Sequence, residues 1–527
     1  MSMFMKLRVL LGLLSASCLP LSASAQLTSA DVTRIINQAV TRAVGISPNS
    51  VIAVTDREGD VLAVWVVRGG AATNPEIATA VSKAGTAAYL SSNQNGFTSR
   101  TAGFIIQQHF PPGVNNVAPG PLVGVGLSNL SFSDINKFRK PGSVISFSST
   151  PGNTIVPVPF TSLDGVPGGV PLYKNGVHVG AVGVTGAATP GPIVGFRAQN
   201  PFVYIAGYDK DEDVALAGQH GFTPSSGITA DNVFINGIRL AYVNSSTVNS
   251  NTYVIRGNPD PHYPTILGAP APYPYPVATF GGVNGQIRQP IMGDPLGGTI
   301  NGQARLNASE VTSIISLAAA RAHITRAGIR LPIGVPAQVF ITVVNNPNAS
   351  GVAPRVLGTF RTGEATLFSW DVAVQKARTV IYYSRNDFLH FGLNLAMSVR
   401  CVGFLAQCNY PPGINGNASG PFNGQQEMFS GLLGNHCNPA AITPNPAFVI
   451  NPNLPNGITI FPGAFGLYRN GVLVGAIGIS GDGVDQDDII GASGTQNFLA
   501  PTAIRSDQFL YRATRLPYAK FPRDPGR

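Results

Sequence analysis

The sequence predicts an α/β (α+β) chain made of two tandem copies of one domain. Three duplicated features carry that reading. Leu172-Tyr173-Lys174-Asn175-Gly176 returns as Leu467-Tyr468-Arg469-Asn470-Gly471, and Val179-Gly180-Ala181-Val182-Gly183 returns as Val474-Gly475-Ala476-Ile477-Gly478. Arg100-Thr101-Ala102-Gly103-Phe104 returns as Arg400-Cys401-Val402-Gly403-Phe404 and runs on to a shared Pro-Pro-Gly, at Pro111–Gly113 and Pro411–Gly413. A capped amphipathic helix opens each copy, at Leu27-Thr28-Ser29-Ala30-Asp31 and Leu306-Asn307-Ala308-Ser309-Glu310.

The hairpin follows from its turn. Asn-Gly between two apolar runs favours a type I′ turn, whose central residues both need positive φ. Past the turn, His178 apart, both alternating faces are apolar or glycine, which suits a central strand covered on both sides. Glycines inside that strand cost stability unless something approaches the backbone closely, either a packed helix or a flat ligand. The opening helices follow from their caps: Thr28 and Asn307 are N-caps, and Asp31 and Glu310 place a carboxylate at the positive end of the helix dipole. Behind Thr28, Val32, Ile35, Ile36, Ala39, Val40 and Ala43 recur at helical spacing. A strand pair follows, Ser50–Thr55 and Val61–Val67 around the turn 56–60, matched by Val339–Val344 and Val356–Phe360. A helix containing Lys83 in copy 1 and Lys376 in copy 2 comes next. Pro-Pro-Gly then stops a helix and begins an irregular segment suited to lining a pocket.

These matches place repeat 1 at 27–246 and repeat 2 at 306–521, with a Pro/Gly-rich linker at 247–304 and a basic tail at 522–527. The linker shows no apolar periodicity and reads as extended and partly polyproline-like. Its Tyr263, Tyr273, Tyr275 and Phe280 predict that it lies on a domain surface. Residues 1–25 have the form of a signal peptide: Lys6 and Arg8, the short apolar run Val9–Leu14, then Ala23-Ser24-Ala25. The expectation is an exported protein, periplasmic or secreted; Cys18 is the competing lipid-attachment site. No segment has the length and purity of a transmembrane helix.

The net charge is +9, yet charged residues make up only 11% of the chain. Spread this thinly, they give no concentrated face for nucleic acid. Three cysteines remain after cleavage. Cys401 and Cys408, spaced i, i+7 on a predicted helix, stand about 10 Å apart at 1.5 Å per residue. That leaves Cys437 to pair with one of them.

The Leu-Thr-x-x-Asp helix, the Lys83-Ala84 helix, the Gly-x-Pro-Leu-Tyr-x-x-Gly hairpin with its Val-Gly-Ala-Val-Gly-Val strand, and the Asp-rich stretch before a last helix together resemble the GlcG/HbpS-type haem-binding family. The resemblance covers both repeats and not the linker. It implies a central antiparallel sheet flanked by helices, self-association, and haem or another small molecule as ligand. A tandem pair would be similar to a family dimer fused into one chain.

Haem takes an axial ligand, most often His. None of the seven histidines recurs at a matched position: His109 corresponds to Asn409 and His178 to Leu473. His109, beside Pro-Pro-Gly, and His178, just past the turn, are the candidate ligands. Arg100, Arg400, Lys83 and Lys376 are candidates for a propionate or other carboxylate, with internal salt bridges as the competing reading. Asp482, Asp485, Asp487 and Asp488 supply oxygens for a hard cation, against the reading that they charge a helix N-terminus. No hydrolase or phosphate-loop pattern is present. The expected function is a small-ligand or haem-binding module. The alternatives are an enzyme acting on haem or a small oxidised metabolite, and a ligand-free assembly protein.

Overall fold

The computed structural model describes residues 25–125, 139, 158, 161–186, 204–247, 249–332, 334–385, 390–438 and 441–520. The signal-like segment with Cys18, apart from Ala25, and the tail from 521 onward lie outside the described residues.

Repeat 1 runs α1 (Ser29–Ile46), β1 (Val51–Asp56), β2 (Val61–Val66), α2 (Asn74–Leu90), α3 (Ser99–Ile105), β3 (Gly169–Lys174), β4 (Val177–Thr185) and α4 (Lys210–Gln219). The connector contributes β5 (Asn258–Pro259), β6 (Val277–Phe280) and β7 (Val283–Gln289). Repeat 2 runs α5 (Ala308–Ile324), β8 (Phe340–Asn345), β9 (Val356–Thr362), α6 (Phe368–Ser384), α7 (Val399–Leu405), α8 (Gln425–Phe429), β10 (Ala464–Arg469), β11 (Val472–Ser480) and α9 (Val484–Gly494). Two tandem α/β domains result, each with an antiparallel sheet between helices.

The predicted caps form. Thr28 with Asp31, and Asn307 with Glu310, each close a reciprocal capping box. Both hairpin turns have positive φ at the two central residues, 53° and 77° at Asn175-Gly176, 47° and 83° at Asn470-Gly471. Strand order is β3-β4-β1-β2-β5 in the first sheet and β10-β11-β8-β9-β7-β6 in the second. β4 and β11 are therefore interior, and every residue of β1 and β8 is buried, as expected for strands covered on both faces.

What crowds the strand glycines is helix backbone. A Cβ on Gly183 would lie 2.2 Å from the Ala80 carbonyl of α2, and one on Gly478 2.0 Å from the Ala373 carbonyl of α6. Glycine there lets a helix sit directly on the sheet.

The connector departs from expectation. It lies on the domains, as its aromatics suggest, but it also extends both sheets: β5 pairs with β2, and the β6–β7 hairpin covers the edge of β9. The helix carrying Cys401 is also shorter than predicted. It ends at Leu405, so Cys408 lies beyond it and bonds to Cys437, while Cys401 stays a buried thiol.

Of the apolar clusters among the described residues, three relate the sheets to their helices and to each other. One joins α1 and α4 to the first sheet, and one joins α5 and α9 to the second. The third crosses the repeats, packing Val51, Val64, Ile77 and Val81 with Phe340, Phe368, Trp370 and Tyr275. Polar contacts reinforce it: Thr366 donates to the Tyr89 carbonyl, Asn93 to Glu364, and Arg330 to the Ser91 carbonyl.

Candidate functional site

The inter-repeat seam leaves a cavity of about 600 Å³ beneath the connector, within the range of small-molecule sites. One wall is the β1–β2 turn, Asp56 to Asp60. Another is the proline-rich run Ala269–Tyr275, and Arg361, Gly363 and Glu364 of repeat 2 close the end. A second hollow of about 590 Å³, lined by Ser350, Tyr382, Arg385, Val449 and Asn453 among others, presents a single charged side chain.

The turn folds on Asp56. Its Oδ1 accepts the Glu58 and Asp60 amides at 2.9 Å each, a local side-chain-to-backbone closure typical of Asp in turns. Burial pushes the Asp56 carboxyl up to about 8, and repulsion from Asp60 adds to it, against the opposing pull of Arg139. Asp60 is also raised by burial, although Arg139 reaches it at 2.7 Å. Glu58 goes the other way. Burial raises it, but Arg288, Arg361, Arg139 and Arg57 together hold it below the usual glutamate range. Arg288 and Arg361 come from the connector and repeat 2 and approach Glu58 to 3.5 and 4.0 Å. Burial and Arg288 push the Arg361 guanidinium down to about 9, so it stays a cation at neutral pH.

Arg57 is different. It is half-buried, lines the cavity, and its side chain makes no hydrogen bond or salt bridge among the described residues. Tyr273 and Tyr275 line the same cavity, with ring centroids 4.7 Å apart. The Arg288 guanidinium lies 3.7 Å over the Tyr275 ring, within cation–π range.

The side chains singled out from sequence sit elsewhere. Arg100 forms a buried bidentate pair with Glu212, at 2.7 and 2.9 Å, and spends its remaining donors on the carbonyls of Ile205 and Gly207. Arg400 bonds Asp488 at 2.7 Å and Asp485 at 2.6 Å. Lys83 bonds Asp211 and the Val184 carbonyl, both at 3.0 Å, and Lys376 bonds Asp487 and the Ile479 carbonyl, both at 2.8 Å. All four cations tie the helices to the sheet or to the acidic stretch. Burial depresses both lysines. Asp211, Asp164 and Asp209 more than offset it at Lys83, whereas Asp487 and Asp488 leave Lys376 below the ordinary value.

The aspartates are absorbed in the same way, and they do not converge on a cation position. Asp482 accepts the Arg330 and Leu331 amides, Asp485 meets Arg400 and Lys520, and Asp488 also accepts the Lys520 amide. Asp485 and Asp487 lie in the first turn of α9, whose N-cap is Gly483. Among the described residues, the His/Cys/Asp/Glu groups whose ligand atoms converge number one, Cys408, His436 and Cys437.

His178 is fully buried, with Nε2 3.1 Å from the Gly180 carbonyl, and its pKa is pushed well below the ordinary value by burial and by Arg57 and Arg330. His109 is half-buried with Nδ1 3.0 Å from the Val117 carbonyl. It lies close to the repeat contact, where Asn116 and Asn415 bond each other reciprocally.

A family profile described as "Haem degrading protein HbpS-like" matches residues 27–190 and 316–496. The chain belongs to the HbpS-like family. The first matched region takes in α1 to β4 and the second runs from within α5 to α9, so the HbpS-like fold is present twice. Two solved structures are similar to parts of this HbpS-like chain. The crystal structure of a PduOC:heme complex shares 18% identity over 38% of this chain and 99% of that one, with a TM-score of 0.24. The Klebsiella pneumoniae protein ORFY shares 16% over 38% of this chain and 94% of that one, with a TM-score of 0.23. No curated protein matches. Among the described residues no helix of this HbpS-like pair is long and apolar enough to cross a membrane. The cavity residues escaped the sequence reading because the duplicated motifs avoid them: Arg57 lies in a turn that repeat 2 replaces with a longer loop, and the tyrosines lie in the connector.

Proposed function

We propose that this chain is an exported binder of haem, or of a comparably flat carboxylated molecule, held in the cavity beneath the connector. The supporting observation is Arg57, a cavity-lining guanidinium whose side chain makes no hydrogen bond or salt bridge among the described residues. A guanidinium fork suits a propionate, the tyrosine pair offers aromatic faces, and a tyrosine hydroxyl is an established axial haem ligand. No histidine lines this cavity among the described residues. When bound, haem would supply the redox-active iron, and the chain's part is to orient the propionates and limit water access.

His109 supports a second reading. A ring whose Nδ1 faces a backbone carbonyl is oriented to present Nε2, the arrangement seen in metal-binding histidines. Haem titration of the mature chain, followed by the Soret band, tests both. The cavity reading expects one equivalent per chain, affinity lowered about tenfold by Arg57→Ala, as for the loss of ~1.4 kcal/mol, and no change with His109→Ala or His178→Ala. Loss of the Soret shift with His109→Ala alone moves the site to the repeat contact. No shift with the unaltered chain ends the haem reading. Turnover of the bound haem with a reductant would make the protein an enzyme. Export and self-association belong to the same proposal and are read by cell fractionation and light scattering.

A further inference from the structure

Away from the cavity, Cys408 and Cys437 form a disulfide beside a buried imidazole. Both sulfurs and a ring nitrogen of His436 lie within 4.8 Å of one another. His436 Nδ1 is 2.6 Å from Glu427 Oε1, and the same oxygen accepts the His436 amide. The Glu427 side chain is wholly buried. A carboxylate fixing Nδ1–H orients the ring and leaves Nε2 as the ligand nitrogen. Nε2 has Asn423 Nδ2 3.5 Å away, at the edge of hydrogen-bond distance.

Each sulfur also has an amide donor aimed at it. Gln108 Nε2 lies 2.9 Å from Cys408 Sγ, and Asn423 Nδ2 lies 2.7 Å from Cys437 Sγ. A disulfide sulfur is a weak acceptor, whereas a thiolate is a charged one that gains from such donors. Gln108 reaches in from repeat 1 and also donates to the His436 carbonyl at 3.0 Å, so both repeats build the surroundings. Cys437 is exposed and Cys408 half-buried, which leaves the bond open to a reductant.

We propose that Cys408, Cys437 and His436 form a redox-gated site for a borderline-soft divalent cation such as Zn²⁺. An external dithiol transfers two electrons and two protons to the disulfide, becoming a disulfide itself and leaving two thiols. Both thiols lose their protons when the cation binds, forming two metal–sulfur bonds beside one metal–nitrogen bond. Two thiolates and one imidazole leave a fourth tetrahedral position for water or an added ligand. In the oxidised chain the sulfur electrons are held in the S–S bond and the site is closed. Repeat 1 has no equivalent, since Gln108 stands where repeat 2 has Cys408.

Co²⁺ is the probe, because thiolate coordination gives a sulfur-to-cobalt charge-transfer band and tetrahedral geometry gives intense visible bands. The full mature chain is titrated before and after reduction with a phosphine, with near-UV circular dichroism recorded on both forms. Reduction is expected to expose two additional thiols and create one Co²⁺ site per chain, displaced by Zn²⁺. The oxidised chain is expected to show neither band. Glu427→Gln should weaken Co²⁺ binding 10–100-fold, and His436→Gln should remove the third ligand and the tetrahedral spectrum. A reduced chain that keeps its circular dichroism and shows no charge-transfer band overturns the proposal. So does loss of the folded signal on reduction, because the ligands depend on an intact scaffold.

Discussion

Asp56 and Lys376 show how buried charges divide between stabilising the fold and shaping the cavity. Asp56 keeps its proton to about pH 8 in the folded chain, while in the unfolded chain it ionises near its ordinary value of about 4. The folded state therefore binds more protons between those values, and stability falls as pH rises through them, by up to about 1.4 kcal/mol per pH unit. Asp56→Asn retains the amide-accepting oxygen and removes the titration. Urea midpoints measured from pH 4 to 8 should be flatter for this variant than for the unaltered chain. An equally steep fall would assign the pH dependence to another group. Lys376 is a structural counter-ion. Removing one partner of a buried pair costs about 3–5 kcal/mol, so Lys376→Met should destabilise strongly at pH 7. Burial already raises Asp487 to about 6, and loss of its cation raises it further. Part of the stability should then return at pH 5, where the carboxyl takes up a proton. Destabilisation of Lys376→Met that is the same at pH 5 and 7 would contradict this account.

At the scale of elements, the duplicated parts were legible and the unique parts were not. Caps, Asn-Gly turns and apolar periodicity are local signals, and they fixed the order of α1, β1, β2, α2, β3 and β4 and their counterparts. The ambiguity over the strand glycines needed tertiary information, because sequence cannot say whether a helix or a ligand meets the backbone. With helix carbonyls at 2.0 and 2.2 Å from a built Cβ, Gly478→Ala and Gly183→Ala must push α6 and α2 off the sheet. Each should cost at the upper end of about 1–3 kcal/mol, read as a lower urea midpoint with unchanged slope. A neutral Gly478→Ala would mean that α6 does not seat on β11 as closely as described. The β6–β7 hairpin did carry a local signal, the Gly281-Gly282 pair, but the prolines around it dominate the composition. The candidate site was the least legible part. Glu58 meets Arg288 and Arg361, and Gln108 meets Cys408, across separations that no periodicity reports.

For the whole molecule, the connector decides whether two HbpS-like domains behave as one body. It supplies edge strands to both sheets, it roofs the cavity, and its Tyr275 packs against Trp370 in the core that both repeats share. An uncovered β9 would present unpaired backbone groups, a template for pairing with another chain. Separation of the repeats would also expose the apolar face containing Phe340, Phe368 and Trp370, and contiguous apolar faces of this kind drive association. Repeat 2 produced alone from residue 306 should therefore self-associate or precipitate, although it contains the helices and duplicated strands of its HbpS-like fold. Extending the fragment back to residue 277 restores the hairpin over β9 but not repeat 1, and should improve solubility without giving a monomer. The intact chain should unfold in a single urea transition seen alike by tryptophan fluorescence and circular dichroism, since Trp370 lies in the shared core. A monomeric, cooperatively folding 306–520 fragment would show instead that the connector only joins two self-sufficient domains. The cavity would then have to be rebuilt as a gap between moving parts.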